Sequence, residues 1–222
     1  MNITKTRVDR SFVGAIATVR IYSEVKKQIV FIDAGVEDYQ TLAAGVLAGT
    51  EVVIIDPAKN GIKQITQALT ERGNVFSLHI ISHGSPGCLQ LGSGGLSLDN
   101  INDYAEELRR WSADTLLLYG CNVAAGDAGV EFVERLHQLT GAKVAASARR
   151  TGSAALGGDW ELEVGVGGGV DVVLPFEVGA IAAYSSVLPT VVVLNEDFEG
   201  TSVTGPWIYG RQDESNLSKS DP

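Results

Sequence analysis

The sequence predicts an α/β fold of three layers, with a mostly parallel sheet between two layers of helices. The main observation is that short apolar runs alternate with amphipathic stretches along residues 28–166. A second is that the apolar runs are hydrophobic throughout, which is typical of parallel strands buried on both faces. Right-handed crossovers are expected to join such strands through the helices.

The alternation can be followed along the chain. Apolar runs predict six strands, at residues 28–33, 51–56, 76–82, 115–119, 143–147 and 160–164. Apolar residues at helical spacing predict four helices, within residues 36–46, 62–69, 101–111 and 129–139. Between the third strand and the third helix, leucines alternate on either side of a glycine turn, which predicts a small hairpin over residues 89–98.

Composition limits the classes of partner. The chain has 222 residues, 45% of them hydrophobic, and a formal net charge of -10. Phosphate binding requires clustered Lys and Arg, so this charge argues against a nucleic-acid partner. No apolar stretch has the length of a membrane-spanning helix, so no membrane insertion is expected. Cys88 and Cys121 are interpreted as free thiols, with a bridge between them left open.

The regions outside the α/β domain differ from it in composition. Residues 1–27 are predicted to form an N-terminal extension, whose short apolar run ends at Arg20 and does not favour a signal peptide. Residues 167–190 are predicted to be a Gly-rich segment and linker. Residues 191–222 are predicted to contain the first strand of a truncated β-module and a disordered tail.

Two reactive residues follow two of the predicted strands. His83 follows the strand at 76–82, and Cys121 follows the strand at 115–119. If these strands are parallel neighbours, an imidazole and a thiol meet at the sheet edge where α/β proteins carry their chemistry. This pair is the minimum required for a cysteine nucleophile and its base. The N–H groups of Gly84 and Cys121 are candidates for an oxyanion hole, and the start of the following helix would support a thiolate.

Each residue also has a structural interpretation. A cysteine at a strand end can be a small core residue, and a histidine there can belong to a turn. Cys88 is predicted to be structural, His79 to be a core histidine and His137 to lie on the surface. Asp33, Asp56 and Ser147 end other strands at the same edge. Ser147 is a candidate substrate-binding residue, whereas Asp33 and Asp56 could coordinate a metal or cap helices, with capping as the default role.

Cofactor chemistry is not expected. The chain lacks the closely spaced His or Cys ligands of a catalytic metal site, and the loop after His83 lacks the lysine of a P-loop. No Gly-x-Ser-x-Gly elbow or dinucleotide fingerprint is present. The sequence therefore predicts neither a metal nor a nucleotide cofactor.

The order of these features resembles the caspase-like cysteine peptidases, which include caspases, gingipains, clostripain, separase and the bacterial CHAT domains. The resemblance rests on Ile80–Gly84 and Leu117–Cys121, and the hairpin at 89–98 is similar to that of CHAT domains. It implies a caspase-like fold, with His83 as general base or acid and Cys121 as the nucleophile that attacks peptide bonds.

A closer resemblance, over residues 28–166, is to an uncharacterised bacterial domain near the N-termini of large exported, adhesin-like proteins. It rests on residues 30–33, 80–87, 118–126 and 152–161. It implies the identity of the domain and favours secretion or the cell surface over the cytoplasm. Because a family without a known function adds no chemistry, a non-catalytic interaction or export module remains the alternative to a peptidase.

The caspase-like resemblance also implies a substrate preference. In those peptidases the residue that ends the first strand often shapes the pocket for the side chain before the cut. By position this residue is Asp33, which would favour Arg or Lys, and Arg149–Arg150 would then be a candidate self-cleavage site. The expected partner is thus a peptide or protein substrate, which includes the protein's own chain.

Overall fold

The computed structural model describes residues 26–188 of the protein, and a six-stranded sheet forms its centre. In chain order the elements are β1 (Gln28–Asp33), α1 (Tyr39–Ala44), β2 (Thr50–Ile55), α2 (Gly61–Arg72), β3 (Val75–Ile81), β4 (Gly84–Ser85), β5 (Cys88–Leu91), β6 (Gly94–Ser97), α3 (Ala105–Leu108), β7 (Ala113–Tyr119), α4 (Gly126–Thr140), β8 (Lys143–Ala146), β9 (Val164–Val166) and α5 (Val178–Ala183), with a short 3-10 helix at Ala154–Leu156. The predictions for residues 1–25 and 189–222 lie outside the described residues.

The central sheet has the order β2-β1-β3-β7-β8-β9. The pairings among β1, β2, β3, β7 and β8 are parallel, and β9 pairs with β8 in the antiparallel direction at the edge. Because the parallel strands are continuous apolar runs, both of their faces can be buried under other elements. The predicted α/β class with a mostly parallel sheet flanked by helices is confirmed.

The predicted hairpin is also present, as part of a second sheet of β4, β5 and β6. The turn between β5 and β6 packs closely against the loop after β2, where an ideal Cβ on Gly92 would lie 2.1 Å from the carbonyl oxygen of Lys59. Gly92 also has a φ of +61°, which favours glycine. A residue with a side chain does not fit at this turn.

Two predicted elements differ most from the observed ones, while several others differ by a few residues at their ends. The predicted helix at 101–111 is reduced to α3, because turns occupy residues 101–104 before it and residues 109–110 after it. The Trp111 Nε1–H donates a hydrogen bond to Thr66 Oγ1 on α2 at 2.8 Å. The predicted sixth strand lies later than expected, as β9.

Different elements cover the two faces of the sheet. The helices α2, α3 and α4 and the hairpin pack on one face, through side chains that include Ile65, Leu108 and Phe132. On the other face, α1 packs together with residues from the predicted Gly-rich segment and linker. These residues are Phe176, Tyr184 and Leu188, which are buried in the same cluster as Cys121.

On this second face His79 is fully buried, in agreement with its prediction as a core histidine. Its Nε2 lies 2.8 Å from Ser77 Oγ, and its ring stacks on Tyr119 with centroids 6.1 Å apart. Burial lowers the pKa of His79 to about 4, because the protonated ring loses its hydration there.

Lowering the pH is therefore expected to destabilise the fold. Below its ordinary pKa of about 6.5, His79 binds a proton in the unfolded chain but not in the folded one, so unfolding becomes easier until the pH reaches its folded pKa. Lowering the pH from about 7 to about 5 should therefore reduce the free energy of unfolding by about 2 kcal/mol through this residue. Urea titrations of wild type and His79→Phe should show a smaller loss in the variant, and equal losses would contradict the assignment.

Candidate functional site

The ends of β3 and β7 bring His83 and Cys121 to the same edge of the sheet. The two strands are parallel neighbours with Ile81 opposite Tyr119, so each reactive residue lies two positions beyond this pair. The backbones remain in contact past the strands, since an ideal Cβ on Gly84 would lie 3.0 Å from the carbonyl oxygen of Cys121. The neighbouring strand ends that the sequence predicts are thus observed.

The imidazole of His83 is oriented by a backbone carbonyl. Its Nε2 lies 2.9 Å from the carbonyl oxygen of Gly35, which can only accept, so Nε2 carries the proton of the neutral ring. Nδ1 is buried and has no hydrogen-bond partner within residues 26–188. Burial lowers the pKa of His83, opposed by the Gly35 hydrogen bond and the charge of Asp33. The ring is therefore held neutral with Nδ1 as its acceptor, the form that a general base requires.

The thiol of Cys121 is almost completely covered, with 1% of the residue exposed. Its Sγ accepts a hydrogen bond from the Thr151 N–H at 3.3 Å and contacts the carbonyl oxygen of Leu188. Burial raises the pKa of this thiol, while the Thr151 N–H and the charge of Arg150 act to lower it. Because α4 begins only at Gly126, the N–H and the Arg150 charge, not the predicted helix terminus, support a thiolate.

An extended stretch of the chain, residues 184–188, lies over Cys121, and we call it the covering segment. It runs antiparallel to residues 151–153: the Leu188 N–H donates to the Thr151 carbonyl at 2.8 Å and the Ser153 N–H to the Ser186 carbonyl at 2.9 Å. At its start, the Tyr184 hydroxyl donates to the carbonyl of Glu37 at 3.1 Å. The thiol therefore faces a peptide carbonyl within a strand-like segment of its own chain.

The close approach of this segment depends on Gly152. An ideal Cβ at this position would lie 2.6 Å from both the Ser186 carbonyl oxygen and the Val187 Cα. Its φ of +134° is also one that residues with side chains rarely adopt. A larger residue here would have to push the covering segment away from the loop.

The predicted substrate-binding residues make contacts within the protein. Asp33 is buried, and its Oδ1 and Oδ2 accept hydrogen bonds from the Gly35 N–H at 2.8 Å and the Gly92 N–H at 2.5 Å. The carboxylate thus caps the turn after β1 and ties it to the hairpin. Ser147 is fully buried and donates to the Arg149 carbonyl at 2.9 Å. Contact of either side chain with a substrate stays a prediction.

The predicted oxyanion-hole residue Gly84 is buried in β4, where it pairs with Leu89. An ideal Cβ on it would lie 2.5 Å from Val123 Cγ2, so glycine is required by packing against the turn after β7. The part of its N–H, and of that of Cys121, in an oxyanion hole stays a prediction.

The other candidates lie elsewhere. Cys88 is buried in the hairpin, as predicted. His137 is half-buried on α4, with Nδ1 2.7 Å from the Ala142 carbonyl oxygen, and not fully on the surface. Asp56 caps the turn after β2 through the Ala58 N–H at 2.9 Å. Within residues 26–188, no group of three or more His, Cys, Asp or Glu side chains is placed to hold a metal ion.

Sequence reasoning did not identify Gly35, Thr151 or the covering segment as parts of the site. Gly35 and Thr151 act through backbone groups, which residue types do not reveal. The covering segment carried no motif, and its pairing with residues 151–153 joins distant parts of the chain. The one local signal is Gly152, since a glycine there permits the close approach that a side chain would prevent.

A family model described as a domain of unknown function (DUF4347) matches residues 29–188. Comparisons with curated proteins and with solved structures found no match. The family match confirms the resemblance to an uncharacterised domain and extends it to Leu188, so the matched region includes the covering segment. The location of the domain in a large exported protein stays a prediction. None of the helices within residues 26–188 is long and apolar enough to cross a membrane.

Proposed function

The chain belongs to the DUF4347 family of domains of unknown function, and from its geometry we propose that it is a cysteine peptidase of caspase-like fold. The observation that supports this most is the contact between Cys121 Sγ and the carbonyl of Leu188. Peptidases and other peptide-binding proteins commonly hold an extended chain by main-chain hydrogen bonds, as residues 151–153 hold the covering segment. The thiol contacts the oxygen of this carbonyl, and a small movement of the thiol would bring Sγ to the adjacent carbon that a nucleophile attacks.

The two reactive residues would divide the chemistry between them. Nδ1 and the thiol form no hydrogen bond within the described residues, so we propose that a rotamer change on substrate binding closes the pair. His83 Nδ1 then takes the proton of the Cys121 thiol as Sγ bonds to the substrate carbonyl carbon. The carbon–nitrogen bond then breaks, the leaving amine takes the proton from His83, and a thioester remains on Cys121. Water attacks the thioester, which releases the new carboxylate and restores the thiol.

The covering segment would make the site latent. It occupies the position of the acyl part of a substrate, so another peptide has to displace it. The bond after its last residue joins Leu188 to Pro189, whose ring nitrogen lacks an N–H. We attribute the resistance of the covering segment to cleavage to this bond, because the ring nitrogen of Pro189 is a poor leaving group. The carbonyl that contacts the thiol is that of Leu188, while the Arg150–Thr151 peptide bond meets Sγ through its N–H. Self-cleavage at Arg149–Arg150 stays a prediction.

Pro189→Ala is therefore expected to turn the covering segment into a substrate. Intact-mass measurements over time should show cleavage after Leu188 in Pro189→Ala, and none in a chain that also carries Cys121→Ala. Wild type should stay intact under the same conditions. If Pro189→Ala and its Cys121→Ala control remain equally intact, the proposed peptidase activity is contradicted.

The second candidate is a non-catalytic interaction or export module. It is favoured by the burial of Cys121 and the raised pKa of its thiol, which also suit an inert core cysteine. Alkylation separates the two candidates. Once a variant displaces the covering segment, iodoacetamide should reach Cys121 in either case. The rate should fall on replacement of His83 if Cys121 is a peptidase nucleophile, and should not depend on His83 if Cys121 is inert.

A further inference from the structure

The residue whose carbonyl contacts the thiol shows what kind of side chain the site accepts. Leu188 is fully buried, in a cluster that includes Val36, Ile81 and Tyr119. Resting on the proposed peptidase function, we propose that the enzyme prefers substrates with a large aliphatic residue immediately before the cut. The covering segment then represents the acyl side of the substrate, with Leu188 in its specificity pocket.

The charges near this pocket do not suit a basic side chain. Asp33 is the one carboxylate among the buried residues of the described range, and the backbone N–H groups of Gly35 and Gly92 already occupy both of its oxygens. The charged group that acts on Cys121 is the cation of Arg150.

The carboxylates of Glu37 and Asp38 act on Tyr184 at the start of the covering segment, but both residues are exposed and keep their hydration outside the apolar cluster. A substrate Arg or Lys would therefore lose its hydration in the pocket without gaining a free buried carboxylate. The Asp33-based preference for Arg or Lys is therefore not the one that these contacts favour.

An acidic side chain is disfavoured for a different reason. Arg150 is exposed, so water hydrates its charge and weakens its attraction for a carboxylate in the pocket. The pocket that Leu188 fills belongs to an apolar cluster, and a carboxylate placed there would be desolvated without a partner. The apolar cluster thus favours an aliphatic residue over both kinds of charge.

The preference can be tested in the full chain by first releasing the covering segment. Leu188→Asp should expel the segment, because an apolar pocket does not hold a carboxylate, and iodoacetamide should then alkylate Cys121 faster than in wild type. Leu188→Met, which conserves volume and polarity, should leave the segment in place and is the matched control. Equal, slow alkylation in both variants would mean that the pocket accepts a carboxylate, and would overturn the inference.

Peptidyl probes then read the specificity of the released site. Tripeptidyl acyloxymethyl ketones with the sequence Ser-Val-X alkylate a peptidase thiol with loss of the carboxylate group, and X is varied among Leu, Arg and Asp. In Leu188→Asp, the Leu probe is expected to label Cys121 at least about tenfold faster than the other two. Faster labelling by the Arg or the Asp probe would overturn the proposed preference without contradicting the proposed peptidase activity. If iodoacetamide labels Cys121 but no peptidyl probe does, the peptidase proposal itself fails.

Discussion

Replacing His83 by Asn is expected to slow self-cleavage of the Pro189→Ala chain by about 10²–10⁴-fold, because the thiol then loses its general base. Asn can still donate a hydrogen bond toward the carbonyl of Gly35, so the turn after β1 keeps a partner while the basic nitrogen is removed. The measurement is the rate of appearance of the chain that ends at Leu188, followed by intact mass.

A matched control is available on α4. His137 is half-buried and contacts the Ala142 carbonyl oxygen, so His137→Asn makes the same change of side chain away from the site. It should cleave at the parent rate. Cleavage of His83→Asn at that rate as well would assign the base to another group and contradict the proposed mechanism.

The pH dependence of the same reaction provides an independent readout of His83. A general base works in its neutral form, so cleavage should fall as the pH drops through its pKa. Burial lowers the pKa of His83, so this fall should lie below the ordinary histidine value of about 6.5. If the rate instead falls at a pH above that value, the titrating group is not the buried imidazole of His83.

The sheet and the pair of reactive residues could be predicted from local sequence. Strand β1 has the predicted bounds because an uninterrupted apolar run between polar neighbours is the local pattern of a strand that is buried on both faces. The strands before His83 and Cys121 have the same character. Once they are neighbours, the location of the two residues at one edge follows from the geometry of a parallel sheet.

What could not be predicted depends on contacts between distant parts of the chain. The third helix is short because turns occupy residues 101–104 and 109–110, while the Trp111 side chain reaches its buried position by a hydrogen bond to Thr66 on α2. Asp33 ends a strand whether its carboxylate binds a substrate or caps a turn. Only the arrival of the hairpin, with the Gly92 N–H at its second oxygen, shows that its carboxylate is already occupied.

The covering segment is the largest difference between the predicted and the observed structure. Local composition indicated a Gly-rich segment and linker after residue 166, because glycines and the absence of periodicity usually accompany an exposed chain. Backbone pairing to residues 151–153 and burial of Leu188 instead make its last part a structural element. The sequence thus located the reactive pair but not the segment that covers its thiol.

Replacing Gly152 by Val is expected to expose Cys121 by displacing the covering segment. The new Cβ would meet the Ser186 carbonyl oxygen and the Val187 Cα at 2.6 Å, closer than real Cβ atoms come to backbone. Overpacking of this kind costs about 1–3 kcal/mol. If that cost falls on the paired state of the segment, alkylation of Cys121 by iodoacetamide should accelerate roughly ten- to hundredfold.

Gly157→Val separates displacement from backbone strain. Gly157 follows in the same loop with a φ of +74°, and an ideal Cβ there would meet nothing within 4 Å. It therefore shares a positive φ with Gly152 but not the close contact, and Cys121 in this variant should react at the wild-type rate. Cys88 is buried in the hairpin and reports any general loosening of the fold within each sample. Equal acceleration in both variants, or at both thiols, would contradict control by the segment.

Displacement should also change the pH at which Cys121 reacts. Burial is the main cause of its raised pKa, while the Thr151 N–H and the Arg150 charge oppose that rise. When the covering segment leaves, the burial falls and the two stabilising groups remain on the loop after β8, so the thiol pKa should drop. The midpoint of the alkylation rate against pH is thus expected at lower pH in Gly152→Val than in Gly157→Val. An unchanged midpoint would mean that the segment does not set the reactivity of the thiol.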